Sequence, residues 1–132
     1  MNGYERITAV LKGETPDKVP VMLHNFLMAV KEYGISMEQY RNSSHLIADT
    51  FKSSVEKYKY DGIVVDIDTV TLAGAVGVKV DFPVNEAARP HGANISDLGS
   101  VSDLKPVNIT GYKYVGIDRK STRLNSSHRI RS

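Results

Sequence analysis

The stretch YDGIVVDIDTVTLAGAVGV, residues 60–78, decides the expected fold. An Asp-Gly turn pair precedes the apolar run 63–67, and two carboxylates, Asp66 and Asp68, interrupt and close that run. Apolar, β-branched runs bounded by turn residues are typical of parallel strands that are covered on both faces. In parallel α/β sheets the functional site lies beyond the carboxyl ends of the strands. The pattern therefore predicts a buried strand with Asp66 and Asp68 at the edge of a site.

The composition is that of an ordinary soluble globular chain. Of its 132 residues, 41% are hydrophobic and 24% are charged, so it is neither fibrous nor disordered. It has no cysteine, which excludes disulfides and limits a metal site in this chain to His, Asp and Glu. No apolar run approaches the roughly 20 residues that cross a bilayer, and the N-terminus does not resemble a secretory signal. We therefore expect a cytoplasmic protein with no membrane contact.

The positive charge of the chain is concentrated at its end. Residues 118–132, DRKSTRLNSSHRIRS, carry five Lys or Arg side chains against one Asp, so the overall charge of +2 comes from this tail. A basic, Ser-rich tail is one form of nucleic-acid arm. The run DRKSTRLNSSH, however, resembles the in-frame translation of a common sequencing-library adapter. We therefore predict a non-native, disordered tail, no nucleic-acid partner, and a natural protein that continues beyond Ile117.

The rest of the sequence predicts alternating helices and short strands. A strand, a helix long enough to cross back and a second strand form the pattern of right-handed parallel βα units. Residues 85–100 contain Pro90, Gly92 and Gly99 and are predicted to be mostly loop. The predicted elements are helices over residues 3–12, 26–33, 37–41, 44–59 and 69–76, strands over 19–23, 63–67 and 78–82, and one helical turn over 100–104.

Two segments carry a family resemblance. They are RITAVLKGETPDKVPVM, residues 6–22, and YRNSSHLIADTFKSSVEKYKYDGIVVDIDTVTLAGAVG, residues 40–77. In order and spacing they resemble the start of the uroporphyrinogen decarboxylase superfamily, where a helix and a Gly-Glu/Gln-x-x-Asp-Arg-x-Pro-Val segment lead into the first barrel strand. The resemblance implies an α/β fold, the N-terminal portion of a (β/α)₈ TIM barrel. Such barrels run to ~250 residues or more, so residues 1–117 would supply roughly the first third and leave the barrel incomplete.

The resemblance also implies roles for individual residues. In the decarboxylase, an aspartate at the end of the second barrel strand hydrogen-bonds the pyrrole N–H groups and stabilises the protonated intermediate. Asp68 occupies that position and is the candidate catalytic residue, because a buried carboxylate can stabilise cationic charge strongly. The alternative is that Asp68 only caps the helix that follows. Asp66, His24 and Asn25 are the candidate substrate-binding residues at the mouth of the barrel.

The chain departs from the decarboxylases directly after its first predicted strand. These enzymes carry a Met-Arg-Gln-Ala-Gly-Arg-Tyr motif whose two arginines bind substrate carboxylates. The corresponding sequence here is LHNFLMAVKEY, which has Asn25 and Ala29 where those arginines would stand. The clamp for a porphyrinogen with many carboxylates is therefore missing. His24 remains open to two interpretations, a proton donor or ligand contact, or a solvated loop histidine.

Three functional hypotheses follow from the resemblance. The first is a cofactor-free lyase that decarboxylates a tetrapyrrole-like substrate with Asp68. The second, which the missing arginines favour slightly, is corrinoid-dependent methyl transfer to a thiol. It would require a corrinoid-protein partner and a zinc ion whose His and Cys ligands lie beyond Ile117, so no metal or cofactor is assigned to this fragment. The third is a truncated chain without activity of its own, because two or three strands cannot close a barrel.

Overall fold

The computed structural model describes residues 1–93, 95–103 and 106–127, with side chains as far as residue 124, and it has a mixed α/β fold. Its helices are α1 Gly3–Leu11, α2 Phe26–Tyr33, α3 Met37–Arg41, α4 Ser44–Tyr58, α5 Thr71–Ala75 and α6 Lys113–Ser127. Its strands are β1 Met22–Leu23, β2 Gly62–Ile63, β3 Lys79–Asp81 and β4 Arg89–His91, and 3₁₀ turns lie at Leu98–Asp103 and Ile109–Gly111. Within this described part of the chain, no helix combines the length and hydrophobicity that a membrane span requires.

Local sequence signals lie at several ends of the first four helices, although Asn25 makes no side-chain capping bond at the start of α2. Asn2 and Glu5 form a capping box at the start of α1, in which each side chain accepts the other residue's backbone N–H, at 3.0 and 2.9 Å. Ser36 and Gln39 form the same box at the start of α3. Gly34 ends α2 with φ of +82°, a left-handed conformation that glycine adopts without strain. Because these signals are local, the observed bounds agree with the predicted ones to within a residue.

The first two strands form a parallel pair. Met22 lies opposite Gly62 and Leu23 opposite Ile63, and the N–H of Val64 extends the ladder to the carbonyl of Leu23 at 3.2 Å. Parallel pairing across a helical connection is the arrangement that the sequence predicts. The ladder is shorter than predicted, because the run 63–67 leaves it after its first residues. No closed barrel is formed by the residues that the structure describes.

The other two strands form a separate antiparallel hairpin. Lys79 lies opposite His91, and Val80 lies opposite Pro90. The strand predicted over residues 78–82 is confirmed as β3, but β4 falls in the segment predicted to be mostly loop. Pro90 cannot donate a ladder hydrogen bond, and such a residue is tolerated only in an edge strand. Pairing with β3 therefore decided the conformation of this segment, and local propensity did not.

The hydrophobic core lies between the first helices and the segment that follows β2. Its fully buried centre is Tyr40, whose ring centroid lies 6.5 Å from that of Phe26 and 6.4 Å from that of Phe51. Ile67 closes the core from the side of the strand. The complete buried cluster consists of Phe26, Val30, Met37, Tyr40, Ile47, Phe51 and Ile67. The core thus holds the segment after β2 against α2, α3 and α4.

Residues 118–127 differ from the disordered tail that the sequence predicts. They continue α6, which packs against α4 and α5. Tyr114 and Ile117 contact the core cluster, and Ser121 is fully buried, with its hydroxyl donating to the carbonyl of Ile117 at 2.9 Å. A helix that begins on an apolar face over α4 extends into the following residues at little cost. Residues 128–132 lie outside the described residues, and the non-native origin of the tail stays a prediction.

An ionic clamp fixes α1 to the N-terminal end of the parallel strands. The guanidinium of Arg6 donates to both oxygens of Asp17, at 2.7 and 2.9 Å, and to Oδ1 of Asp61 at 2.8 Å. Oδ2 of Asp61 accepts the N–H of Val21 at 2.9 Å. Arg6 lowers the pKa of Asp17, and the Val21 N–H followed by Arg6 lowers the pKa of Asp61. Helix α1 lies so close to the backbone before β2 that a Cβ on Gly3 would be 2.5 Å from the carbonyl oxygen of Asp61.

We expect Arg6→Gln to lower stability at pH 7 and to weaken its dependence on acid. Both carboxyl pKa values are depressed in the folded state, so their contribution is complete above the unfolded-state pKa of about 4 and is lost as pH falls through the folded values. Urea midpoints measured from pH 3 to 7 check this. Arg89→Gln, which removes an exposed pair with Glu86, is the matched control and should change little. Parallel pH profiles for Arg6→Gln and the parent chain would contradict the assignment.

Candidate functional site

A cavity of about 340 Å³ lies beyond the carboxyl end of β2. Its walls combine residues that follow β2, the start of α5 and one turn of α6. They are Asp66, Ile67, Asp68, Thr69, Thr71, Leu72, Val115 and Asp118. Three of these side chains are carboxylates, and no Lys or Arg is among them. Outside this lining, the charge of Asp68 opposes the lowering of the Arg41 pKa by burial, so Arg41 offsets part of the negative charge of the acids.

Asp68 uses its two carboxylate oxygens differently. The residue is 4% exposed, and Oδ1 accepts the N–H of Val70 at 2.8 Å and the hydroxyl of Thr71 at 2.9 Å. This oxygen therefore fixes the start of α5, as the capping hypothesis expects. Oδ2 is also buried, and it has no hydrogen-bond partner among the described residues. A buried carboxylate oxygen is rarely left without a donor, which makes Oδ2 a candidate ligand-binding position.

Asp66 links the cavity to its rim. Its Oδ1 accepts the N–H of Asp68 at 3.2 Å, and its Oδ2 lies 2.9 Å from Nε2 of His24. The imidazole of His24 is 43% exposed and packs against the ring of Phe26, with the centroids 5.4 Å apart. The carbonyl of Asp66 accepts the hydroxyl of the buried Tyr40. His24 is thus held beside the cavity with one face open to solvent.

Asn25 lies apart from Asp66 and Asp68, which line the cavity, and from His24 beside it. Its Nδ2 donates to Oγ of Ser54 in α4 at 3.2 Å, and its buried Oδ1 has no partner among the described residues. Ala29, at the second position where decarboxylases carry an arginine, is 2% exposed on the inner face of α2. The structure therefore brings Asp66, Asp68 and His24 together and turns Asn25 toward α4. The roles of all four residues stay predictions.

Asp118 is the cavity residue that the sequence analysis missed, because it was assigned to the tail. Its Oδ1 is buried without a partner among the described residues. Burial raises the pKa of this carboxyl, and the neighbouring Asp66 and Asp68 raise it further. The sequence did contain a signal for this helix, because the residues that face inward on α6 recur at spacings of three and four. They are Tyr114, Ile117, Asp118 and Ser121.

A comparison with models of protein families shows which family the chain belongs to. The family model described as uroporphyrinogen decarboxylase (URO-D) matches residues 2–126. The chain belongs to the uroporphyrinogen decarboxylase family. Searches of curated proteins and of solved structures each return no significant match. The match confirms the family resemblance drawn from residues 6–22 and 40–77.

Arg41 does not replace the missing arginine clamp of this family's decarboxylases. The residue is 1% exposed, and its guanidinium donates to the carbonyls of Pro83 at 2.6 Å and Glu86 at 2.7 Å. It also lies 5.6 Å from the centroid of the Phe82 ring. Burial lowers the pKa of Arg41, and nearby acids, Asp68 first among them, oppose this effect. Its two terminal nitrogens therefore fasten α3 to the segment after β3.

The described residues do not fit a zinc site. They contain no group of three or more His, Cys, Asp or Glu side chains that converge as a metal would require. His24 and Asp66 form a pair. The other two cavity acids, Asp68 and Asp118, each have a buried oxygen without a partner, and no nitrogen or sulfur ligand joins them among the described residues. No reaction step is therefore assigned to a metal held by these side chains.

We expect Asp118→Asn to raise stability at pH 7 and to leave it nearly unchanged at pH 4. The pKa of Asp118 is raised in the folded state, so its contribution is complete below the unfolded-state pKa and is lost as pH rises through the folded value. The groups that face it are Asp66 and Asp68 after β2 and Tyr40 on α3. Urea midpoints at both pH values check the effect. The exposed Asp49→Asn is the control, and a less stable Asp118→Asn at pH 7 would overturn the explanation.

Proposed function

We propose that this chain carries the N-terminal part of the active site of a uroporphyrinogen decarboxylase family enzyme. In this proposal Asp68 accepts an N–H group of the substrate and stabilises the positive charge that develops there. The observation that carries the proposal is the buried Oδ2 of Asp68, which lines the cavity without a partner among the described residues. A fixed carboxylate in a site that excludes water stabilises a transition-state cation far more than water does.

The reaction that uses this geometry most directly is cofactor-free decarboxylation of a pyrrole-like ring. A proton adds to the ring carbon next to the one that bears the carboxymethyl group and leaves a cationic ring. The bond to the carboxyl carbon then breaks, CO₂ departs, and the bonding electrons form an exocyclic C=CH₂ bond that neutralises the ring. A second proton adds to this CH₂ to make a methyl group, and the ring loses the first proton and becomes aromatic again. Asp68 offsets the charge of the cation, and His24, held by Asp66 at 2.9 Å, is the proposed proton donor at the rim.

The cavity favours a ligand with few carboxylates. Its volume of about 340 Å³ lies at the lower end of the ~300–1,000 Å³ found for small-molecule pockets, so it suits one ring of a tetrapyrrole-like substrate. Asp66 and Asp68 repel anions, and the buried guanidinium of Arg41 is engaged by the carbonyls of Pro83 and Glu86. A porphyrinogen bearing many carboxylates is therefore not the substrate that this site supports.

The second candidate reaction is corrinoid-dependent methyl transfer to a thiol, with a corrinoid protein as partner. The observation that favours it concerns the two positions where decarboxylases carry arginines. Asn25 donates a hydrogen bond to Ser54 and Ala29 is buried, so neither residue can bind a substrate carboxylate as an arginine would. Zinc would activate the thiol in such an enzyme. Its ligands would have to come from residues beyond Ile117 in the parent protein, because the described residues do not fit the ion.

The native sequence downstream of Ile117 distinguishes the two reactions. We expect a longer read of the same locus to replace DRKSTRLNSSH with other codons and to continue the barrel. A His-x-Cys motif and a later Cys would select methyl transfer, because together they supply a zinc site, and their absence would leave decarboxylation or another branch of the family. Finding DRKSTRLNSSH uninterrupted in a long native reading frame would refute the adapter origin of the tail.

We also propose that the chain has no turnover by itself. The described residues form two separate two-stranded sheets, and large apolar side chains such as Val19 and Leu72 are 83% and 64% exposed. These surfaces are of the kind that further barrel elements would cover. Activity is therefore a property to test on the full-length parent, whereas ligand binding at Asp68 is tested on this chain.

We expect this chain to bind pyrrole at least tenfold more tightly than N-methylpyrrole. The two probes have the same ring, but only pyrrole donates an N–H to Oδ2 of Asp68, and hydrogen bonds to charged groups contribute about 1.5–3 kcal/mol. Amide NMR shifts in residues 68–72 measure both affinities. Asp68→Asn keeps an acceptor for α5 but removes the charge, so it should reduce the preference.

Asp49→Asn serves as the control for this experiment, because it removes an exposed carboxylate of α4 and should keep the full preference. Equal affinities of the unmodified chain for pyrrole and N-methylpyrrole would refute Asp68 as the N–H acceptor. An unchanged preference in Asp68→Asn would refute it as well, even if pyrrole binds elsewhere on the chain.

A further inference from the structure

We infer that Asp66 is a positioning residue that fixes the neutral imidazole of His24 in one tautomer, with its proton on Nε2, and leaves Nδ1 to exchange protons with a ligand. The inference rests on the proposed function, in which His24 is the proton donor, and deepens it by naming the donating atom. It stands on the contacts of these two side chains and uses no residue of the predicted tail.

Asp66 is held at three of its oxygens. Its Oδ1 accepts the N–H of Asp68 at 3.2 Å, and its backbone carbonyl accepts the hydroxyl of the buried Tyr40. Its Oδ2 lies 2.9 Å from Nε2 of His24. Because a backbone N–H can only donate, Oδ1 must remain an acceptor toward Asp68, and Oδ2 is the oxygen that faces the imidazole. The partner of His24 is therefore in place before a ligand binds.

The imidazole of His24 is engaged at one nitrogen only. Its centroid lies 5.4 Å from that of Phe26, a member of the core cluster, and Nε2 lies beside the carboxylate of Asp66. A carboxylate accepts hydrogen bonds and donates none, so Nε2 must carry a proton to bond to it. Nδ1 has no hydrogen bond to any residue that the structure describes, and the side chain is 43% exposed. The neutral ring therefore has its lone pair on Nδ1.

This arrangement lets His24 give up a proton without changing its bond to Asp66. In the protonated ring both nitrogens carry protons, and Asp66 offsets the positive charge through the proton on Nε2. Transfer breaks the Nδ1–H bond, leaves its electron pair on Nδ1 and forms a C–H bond on the pyrrole-like ring. The imidazole that results is the tautomer that Asp66 already favours, and solvent returns a proton to Nδ1. A carboxylate that orients a histidine in this way supports acid–base catalysis without taking up a proton itself.

The test is a ¹⁵N–¹H correlation spectrum of the imidazole groups in the whole chain, labelled with ¹⁵N-histidine. It is recorded at pH 9, well above the ~6.5 at which an ordinary histidine titrates. We expect His24 to show a single tautomer with its proton on Nε2. The exposed His45 and His91 should show the averaged tautomers of a solvated ring. His24→Gln identifies the signal of His24 by removing it.

Asp66→Asn should move the proton of His24 from Nε2 to Nδ1. The amide oxygen of the new side chain keeps the bond from the N–H of Asp68, so its NH₂ group faces Nε2 and donates to it. A nitrogen that accepts a hydrogen bond carries no proton, so the tautomer is reversed. Asp49→Asn, which changes an exposed carboxylate of α4, is the matched control and should leave the proton on Nε2. The amide spectrum reports whether each variant is folded.

Three results would overturn the inference: averaged tautomers at His24 in the unmodified chain, a proton on its Nδ1 there, or an unchanged tautomer in folded Asp66→Asn. The first two need no variant, so a misfolded Asp66→Asn leaves the inference open to refutation. The pyrrole experiment fails separately, because it measures the N–H acceptor at Asp68. An Nε2–H tautomer without a preference for pyrrole would refute Asp68 as that acceptor and retain Asp66 as the positioning residue.

Discussion

The hydrogen bond from the hydroxyl of Tyr40 to the carbonyl of Asp66 is the contact on which the candidate site depends. Tyr40 is fully buried between Phe26 and Phe51, so its hydroxyl must find a partner inside the protein. The carbonyl of Asp66 is that partner, and it belongs to the segment that has just left the parallel ladder. The aromatic core therefore fixes a segment that two short strands alone would hold weakly. Asp66 and Asp68 take their positions from this bond.

Aspartates at the two ends of the parallel strands have pKa values that are shifted in opposite directions. At the N-terminal end, Asp17 and Asp61 share the guanidinium of Arg6, and their pKa values are lowered. Beyond the carboxyl end, burial raises the pKa of Asp118, and the neighbouring Asp66 and Asp68 raise it further. Paired charges stabilise the folded state, whereas a buried carboxylate beside other carboxylates costs stability while it is ionised. The same residue type thus has a lowered pKa at one end of the strands and a raised pKa at the other.

The sequence predicted what local interactions determine. Capping residues such as Ser36 and the left-handed Gly34 set helix ends within a few residues of themselves, and the acid-tipped run 63–67 indicated the end of the sheet that carries the cavity. It could not predict β4, because Pro90 is accepted there only through pairing with β3. It also missed Asp118, whose position depends on the packing of α6 against α4. Both failures concern contacts between residues that are distant along the chain.

Asp68 caps α5, as one of the two sequence hypotheses expects, and its role in a site stays a prediction. A helix-capping aspartate and a ligand-binding aspartate are alternatives only if the carboxylate has a single use, and here each oxygen has its own environment. The bonds from Val70 and Thr71 to Oδ1 restrict the rotation of the side chain, so Oδ2 is held in place before a ligand arrives. Preorganisation of this kind removes an entropic cost from binding. The cap and the proposed ligand role are therefore compatible, because the cap orients the oxygen that the proposal assigns to the ligand.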